Sequence, residues 1–141
     1  MKLESLEIAG SKVSFQTLEK LVQALPSLTS LNVLGCEFKS EEIKHAAPGS
    51  CAKVQSLVIG GKTLLDDTFS GILKAFSGVT DLDMSGCTKV SGKVVLPALD
   101  GLSSLKTLSA TGKHNHVDKQ VFTKLKETHP SLVIYTTKKL N

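Results

Sequence analysis

At 141 residues the chain has the length of one domain, and its net charge of +4 comes from lysine alone, because no arginine occurs. With five Phe, one Tyr and no Trp, it lacks the guanidinium forks and stacking rings on which nucleic-acid readers rely, which argues against a nucleic-acid platform. No apolar run approaches the ~20 residues of a membrane span, and Met1-Lys2-Leu3-Glu4 opens on a strand-like stretch rather than a signal peptide.

That first stretch is Leu3-Glu-Ser-Leu6-Glu-Ile8-Ala-Gly-Ser11, with apolar residues at its positions 1, 4 and 6 and glycine at position 8. The grammar returns from Leu28 to Cys36, Val54 to Lys62, Val79 to Cys87 and Leu105 to Lys113, at spacings of 25, 26, 25 and 26 residues. A partial copy, Leu132-Val-Ile-Tyr135, follows 27 residues after the last. Apolar positions this regular predict one short strand per turn of a solenoid. Gly10, Gly35, Gly61, Gly86 and Gly112 then fall where a tight turn leaves each strand.

Between strands the period changes to a helical one. Phe15 to Leu25 is apolar at 15, 18, 21, 22 and 25, with Ser14 placed to cap it and Pro26 to stop it. A shorter helix is predicted from Glu41 to Ala47, capped by Ser40 and ended by Pro48-Gly49. Next, Asp66 or Asp67 caps a helix whose inner face is Phe69, Ile72, Leu73 and Phe76. Val94 to Leu102 contains Pro97 and reads as an irregular or short helix. The last helix runs from an Asp118 cap through Val121, Phe122 and Leu125 and stops before Pro130.

The chain resembles leucine-rich repeat proteins. A period near 26 and cysteine at position 9 (Cys36 and Cys87) are similar to the cysteine-containing subtype in the substrate-reading domains of F-box proteins. Cys51, three residues before Val54, matches that subtype's repeat opening, but position 9 of the other repeats is Ser11, Lys62 and Lys113. The resemblance implies an α/β fold: a single leucine-rich repeat solenoid over 1–141, parallel sheet on the concave face, helices on the convex face, about five repeats plus a C-terminal strand. No F-box-like segment precedes the repeats, so ubiquitin-ligase membership is not implied.

Three cysteines cannot all pair internally, and Cys36 and Cys87, two repeats apart, would be roughly 10 Å from each other at a ~4.8 Å strand spacing. A reduced intracellular, most simply cytoplasmic, protein is expected. A thiol at position 9 is expected to satisfy backbone donors of the loop. Gly60-Gly61-Lys62-Thr63 resembles the end of a phosphate-binding loop, but Ser56 stands where that motif requires glycine. His114-Asn115-His116 could geometrically join Cys87 as a zinc trio, but a His-x-His on a polar loop is common by chance and Lys113 beside it disfavours a cation, so a solvated loop is expected. His45 and His129 fall at helix ends. No catalytic triad, cofactor fingerprint or desolvated carboxylate pair occurs, so no catalytic, cofactor or metal residue is assigned and no small-molecule substrate is expected.

What remains is a protein-binding surface. Strand positions 3, 5 and 7 project away from the core. Of these, Glu7, Asn32, Leu34, Val58, Asp81, Asp83, Ser85, Thr107 and Ser109 are the candidate contact residues, forming a short-chained, hydroxyl-rich, acidic face. The expected role is a non-catalytic protein–protein interaction module or adaptor. The alternatives are a structural subunit docked through its N-terminal edge or convex side, and a weaker RNA contact through Lys106, Lys113, Lys119, Lys124 and Lys126. The strand around Leu6 and Ile8 has nothing ahead of it, so either the chain is the C-terminal piece of a longer protein or a partner covers that edge. An uncapped edge there would also permit an edge-to-edge homodimer.

Overall fold

The computed structural model describes residues 2–111 and 117–136. Its strands are β1 (Ser5–Glu7), β2 (Ser30–Asn32), β3 (Ser56–Gly60), β4 (Asp81–Gly86), β5 (Thr107–Ala110) and β6 (Val133–Thr136). They form one six-stranded sheet in sequence order, and every neighbouring pair is parallel. Parallel neighbours need a crossover, and each is a helix: α1 (Phe15–Ala24), α2 (Ser40–Lys44), α3 (Asp66–Ala75), α4 (Gly92–Asp100) and α5 (Lys119–Thr128). The result is a repeat-like α/β arrangement of strand, turn and helix.

The alternation within each strand decides which face the helices cover. Position-4 residues Leu31, Leu57, Leu82 and Leu108 are all 0–2% exposed, and position-6 residues Val33, Ile59, Met84 and Ala110 are equally buried. They share one core with the inner helix residues Phe15, Leu18, Val22, Phe69, Ile72, Val95, Phe122 and Leu125. Burying a leucine of this kind contributes about 1.5–3 kcal/mol, so the inward row accounts for much of the cohesion between repeats. A further inward row follows each turn: Val13, Phe38, Leu64, Val90 and Val117. It recurs at nearly the same period and seals the core between strand and helix.

Local departures from the predicted elements have identifiable causes. α1 and α5 are capped as expected, Ser14 accepting from Thr17 N at 3.1 Å and Asp118 from Gln120 N at 3.2 Å. In α2, Lys39 rather than Ser40 is the N-cap, and the helix ends at Lys44 rather than Ala47. Glu42 reaches back to accept from Lys39 N at 3.2 Å, and the same carboxylate oxygen accepts from Phe15 N at 3.3 Å, tying α2 to α1. In α3 the N-cap is Leu65, because Asp66 turns away to accept from Ser91 N (2.7 Å) and Ser91 Oγ (2.8 Å) at the start of α4. Asp67 stays in the first turn, where a hydrogen bond from the Ser40 hydroxyl holds its carboxyl below the usual range. α4 spans nine residues with Pro97 inside it, where the ring removes one intrahelical N–H donor. In the last repeat Leu132 precedes the strand, and Val133 rather than a residue two further on pairs with Thr107, so this repeat is one residue shorter between its opening leucine and its strand.

β4 carries an irregularity of its own. Val58 pairs with Asp83 but Gly60 pairs with Gly86, leaving one extra residue on β4. Gly10 and Gly35 make their turns at φ of +75° and +77°, whereas Gly86 instead sits against Gly60 across the bulge. Gly112 lies outside the described residues.

Candidate functional site

The helix-free face of the sheet is built from two rows of side chains. Register places Ser5, Ser30, Ser56, Asp81, Thr107 and Val133 in one row, and Glu7, Asn32, Val58, Asp83, Ser109 and Tyr135 in the next. Each row crosses six strands, about 24 Å at a strand spacing of ~4.8 Å. Near the middle, Val58, Asp81, Asp83, Thr107 and Ser109 surround a shallow depression of about 150 Å³, with Ser56 on its wall and Leu57 and Leu82 also lining it. Five of the nine sequence-chosen residues therefore converge. Glu7 and Asn32 lie further along the second row, and Leu34 and Ser85 sit at the turn end.

Several of these side chains also hold the backbone. Asn32 Oδ1 accepts from Leu34 N at 3.0 Å, and Asp83 Oδ1 accepts from Ser85 N at 2.9 Å, the same bond two repeats apart. Ser85 Oγ accepts from Thr111 N at 3.0 Å and lies 3.1 Å from Thr111 Oγ1. Asp81 accepts from the hydroxyls of Thr80, at 2.9 Å, and Thr107. An ionised carboxylate has about four acceptor sites, so both aspartates keep capacity for a further donor. Among the described residues neither is within ion-pair distance of a cation. Asn32 is opposite Val58 and so is separated from the aspartates by a strand. Leu34 is 39% exposed, and its Cδ1 lies where a side chain on Gly86 would stand.

The two rows also include Val133 and Tyr135, which counting from Leu132 leaves off the face. They are 46% and 55% exposed and finish the two rows at the β6 edge. The alternation of Val133, Ile134 and Tyr135 carries the signal.

The cysteines are structural in geometry. Cys36 Sγ donates to the Ile8 carbonyl at 3.2 Å and is also reached by the loop backbone of Gly10 and Ser11, as expected of position 9, while Cys87 Sγ donates to the Ile59 carbonyl at 3.8 Å. Burial pushes the Cys36 thiol up, the Cys51 thiol up to about 11, and the Cys87 thiol, with Asp83 adding to the effect, up to about 12. All three are free and buried, and that burial disfavours the thiolate form. Among the described residues no three His, Cys, Asp or Glu side chains gather as a metal site; His114 and His116 lie outside those residues. His129 Nε2 is 3.0 Å from Asp100 Oδ1, linking the ends of α5 and α4. Of the lysines considered for RNA, Lys126 is occupied by the carbonyls of Pro130 (3.3 Å) and Leu132 (2.7 Å), and Lys113 lies outside the described residues.

Larger cavities lie on the helix side, one of about 470 Å³ between α3 and α4 and one of about 540 Å³ between α2 and α3. The first is lined mainly by Leu73, Val94, Pro97, Ala98 and Leu102 and has only Ser70, Lys74 and Ser77 as polar side chains. No helix among the described residues is long and apolar enough to cross a membrane. No protein-family model matches the sequence, and no curated protein matches it.

Proposed function

We propose that the chain is a leucine-rich repeat domain acting as a non-catalytic protein-interaction module, with the helix-free sheet face as its contact surface. The observation that carries this is the pair of side-chain rows crossing all six strands, open to solvent and centred on the depression at Val58, Asp81 and Asp83. Strand periodicity, glycine turns and the cysteine-to-carbonyl bonds support the repeat family. Three buried, unpaired thiols support a reducing intracellular setting. Catalysis is disfavoured because burial holds the thiols protonated and the two aspartates line only a shallow depression, Asp81 exposed and Asp83 half-buried.

The test compares two double variants of matched charge. Ser56→Arg with Ser109→Arg crowds the sheet face, whereas Ser70→Arg with Ala98→Arg crowds the groove between α3 and α4. Quantitative affinity capture is expected to lose its specific partners with the first and keep them with the second, both variants retaining wild-type circular dichroism. The opposite pattern favours the second reading, a structural subunit docked through the helix side, for which the 470 Å³ groove is the supporting observation.

A further inference from the structure

Charge on this molecule is segregated in a way its net value conceals. Each of the six strands contributes two residues to the open-face rows, and these include Glu7, Asp81 and Asp83 but no lysine. The chain has 17 lysines, and the nearest to the rows in sequence is Lys106, one residue before β5. A net-positive protein thus presents a negative sheet face. All the charge within the two rows is negative, which favours a basic ligand there and disfavours an acidic one.

The second feature is apolar and lies at a fixed distance from the first. Asp81 and Val133 occupy the same row two strands apart, as do Asp83 and Tyr135. Two strand spacings are about 10 Å, which an extended segment covers in about three residues. On the β6 side Val133 and Tyr135 are exposed apolar side chains at that distance, and a tyrosine ring also accepts a cation over its face.

Resting on the sheet-face reading above, we propose that the partner is an extended peptide segment bearing lysine or arginine. Its cation sits against Asp81 and Asp83, and an apolar side chain about three residues away rests on Val133 and Tyr135. Spare acceptor sites on both carboxylates, with no internal cation beside them among the described residues, leave the charge to be neutralised from outside. An arginine fits these acceptors best, because its fork can address two oxygens at once.

A library of random 12-residue peptides displayed on phage, panned against the full chain, provides the probe. The selected peptides are expected to be enriched in lysine and arginine with an apolar residue about three positions away. A synthetic copy of the leading sequence should bind at least tenfold more weakly to Asp81→Asn with Asp83→Asn, which removes the charge and leaves one carbonyl acceptor on each side chain. Its affinity for the wild type should fall with added salt, and Tyr135→Ala should weaken binding without altering that salt dependence. Amide shifts in the labelled protein should map to 56–58, 81–85, 107–109 and 133–135. Selected peptides without basic enrichment, or with affinity untouched by the double Asn variant, overturn the basic-segment proposal. If their shifts still fall on the two rows, the sheet-face reading survives. Shifts confined to residues lining the grooves beside α3 overturn both. A selection that returns no binder also overturns the peptide proposal.

Discussion

At Gly60 the backbones of β3 and β4 run so close that a Cβ would lie 2.6 Å from the carbonyl carbon of Gly86, and φ is +154°. Neither the clash nor the dihedral can be relieved by moving a flexible side chain, because the opposing atoms are backbone. Gly60→Ala is therefore expected to destabilise by about 2 kcal/mol or more, read as a lower urea midpoint at unchanged slope. Gly61→Ala, whose nearest contact would be Gly35 Cα at 3.2 Å, should cost less. The buried thiols make a second residue-level prediction. Cys51 and Cys87 are pushed up to about 11 and about 12 from an ordinary 9.0, chiefly by burial. Unfolding releases thiols that ionise at their ordinary value, so the stability they contribute is complete below about pH 8.5 and is lost as pH climbs toward the folded values. Thermal midpoints should be flat from pH 7 to 8 and fall between pH 9 and 11. Cys87→Ala should show a shallower fall over that window, and a fall as steep as wild type's would show that the thiol plays no part.

Between elements, the links that matter are side chains reaching from one helix start to the next. Asp66 accepts two bonds from Ser91, and Glu42 accepts from Phe15 N. Asp66→Ala should cost about 1–2 kcal/mol, since it leaves the Ser91 amide without its acceptor and loosens α3 from α4. Ser14→Ala, a purely local cap, should cost about 1 kcal/mol without affecting the exchange of neighbouring helices. The contrast shows where sequence reading stops. Strand positions, helix positions and the inward residues followed from period alone, since the core must recur with each turn. The acceptors did not: an aspartate before a helix reads as a cap, and only the lateral stacking of repeats brings Ser91 to Asp66. The same limit hid Val133 and Tyr135, because one missing residue after Leu132 moves them onto the open face. Alternation alone places Asn32 and Asp83 on the contact face. That they also brace Leu34 N and Ser85 N depends on turn geometry that alternation does not encode.

For the whole molecule, the order of strands sets a gradient of stability. β3 and β4 are flanked on both sides, whereas β1 pairs only with β2 and β6 only with β5 among the described residues. Burial follows the same gradient: Leu57 and Leu82 are 1–2% exposed, while their counterparts Leu6 and Ile134 are only partly buried. Stability in a stack of repeats is close to a sum of repeat and neighbour terms, so an edge repeat has one interface fewer. Leu57→Ala should thus cost about 2–5 kcal/mol, and Leu6→Ala clearly less. Native-state hydrogen exchange offers the fuller test. Amides 5–8 should exchange by local opening well below the global unfolding free energy, while amides 56–59 and 81–84 exchange only on global unfolding. An exposed strand with free backbone groups also invites a second copy to pair along it. If protection at 5–8 rises with protein concentration and sedimentation shows a dimer at the same concentrations, β1 is the contact edge. If 5–8 is as protected as 56–59 in a dilute monomer, the edge is stabilised from within the chain, and the gradient drawn from strand order does not govern its opening.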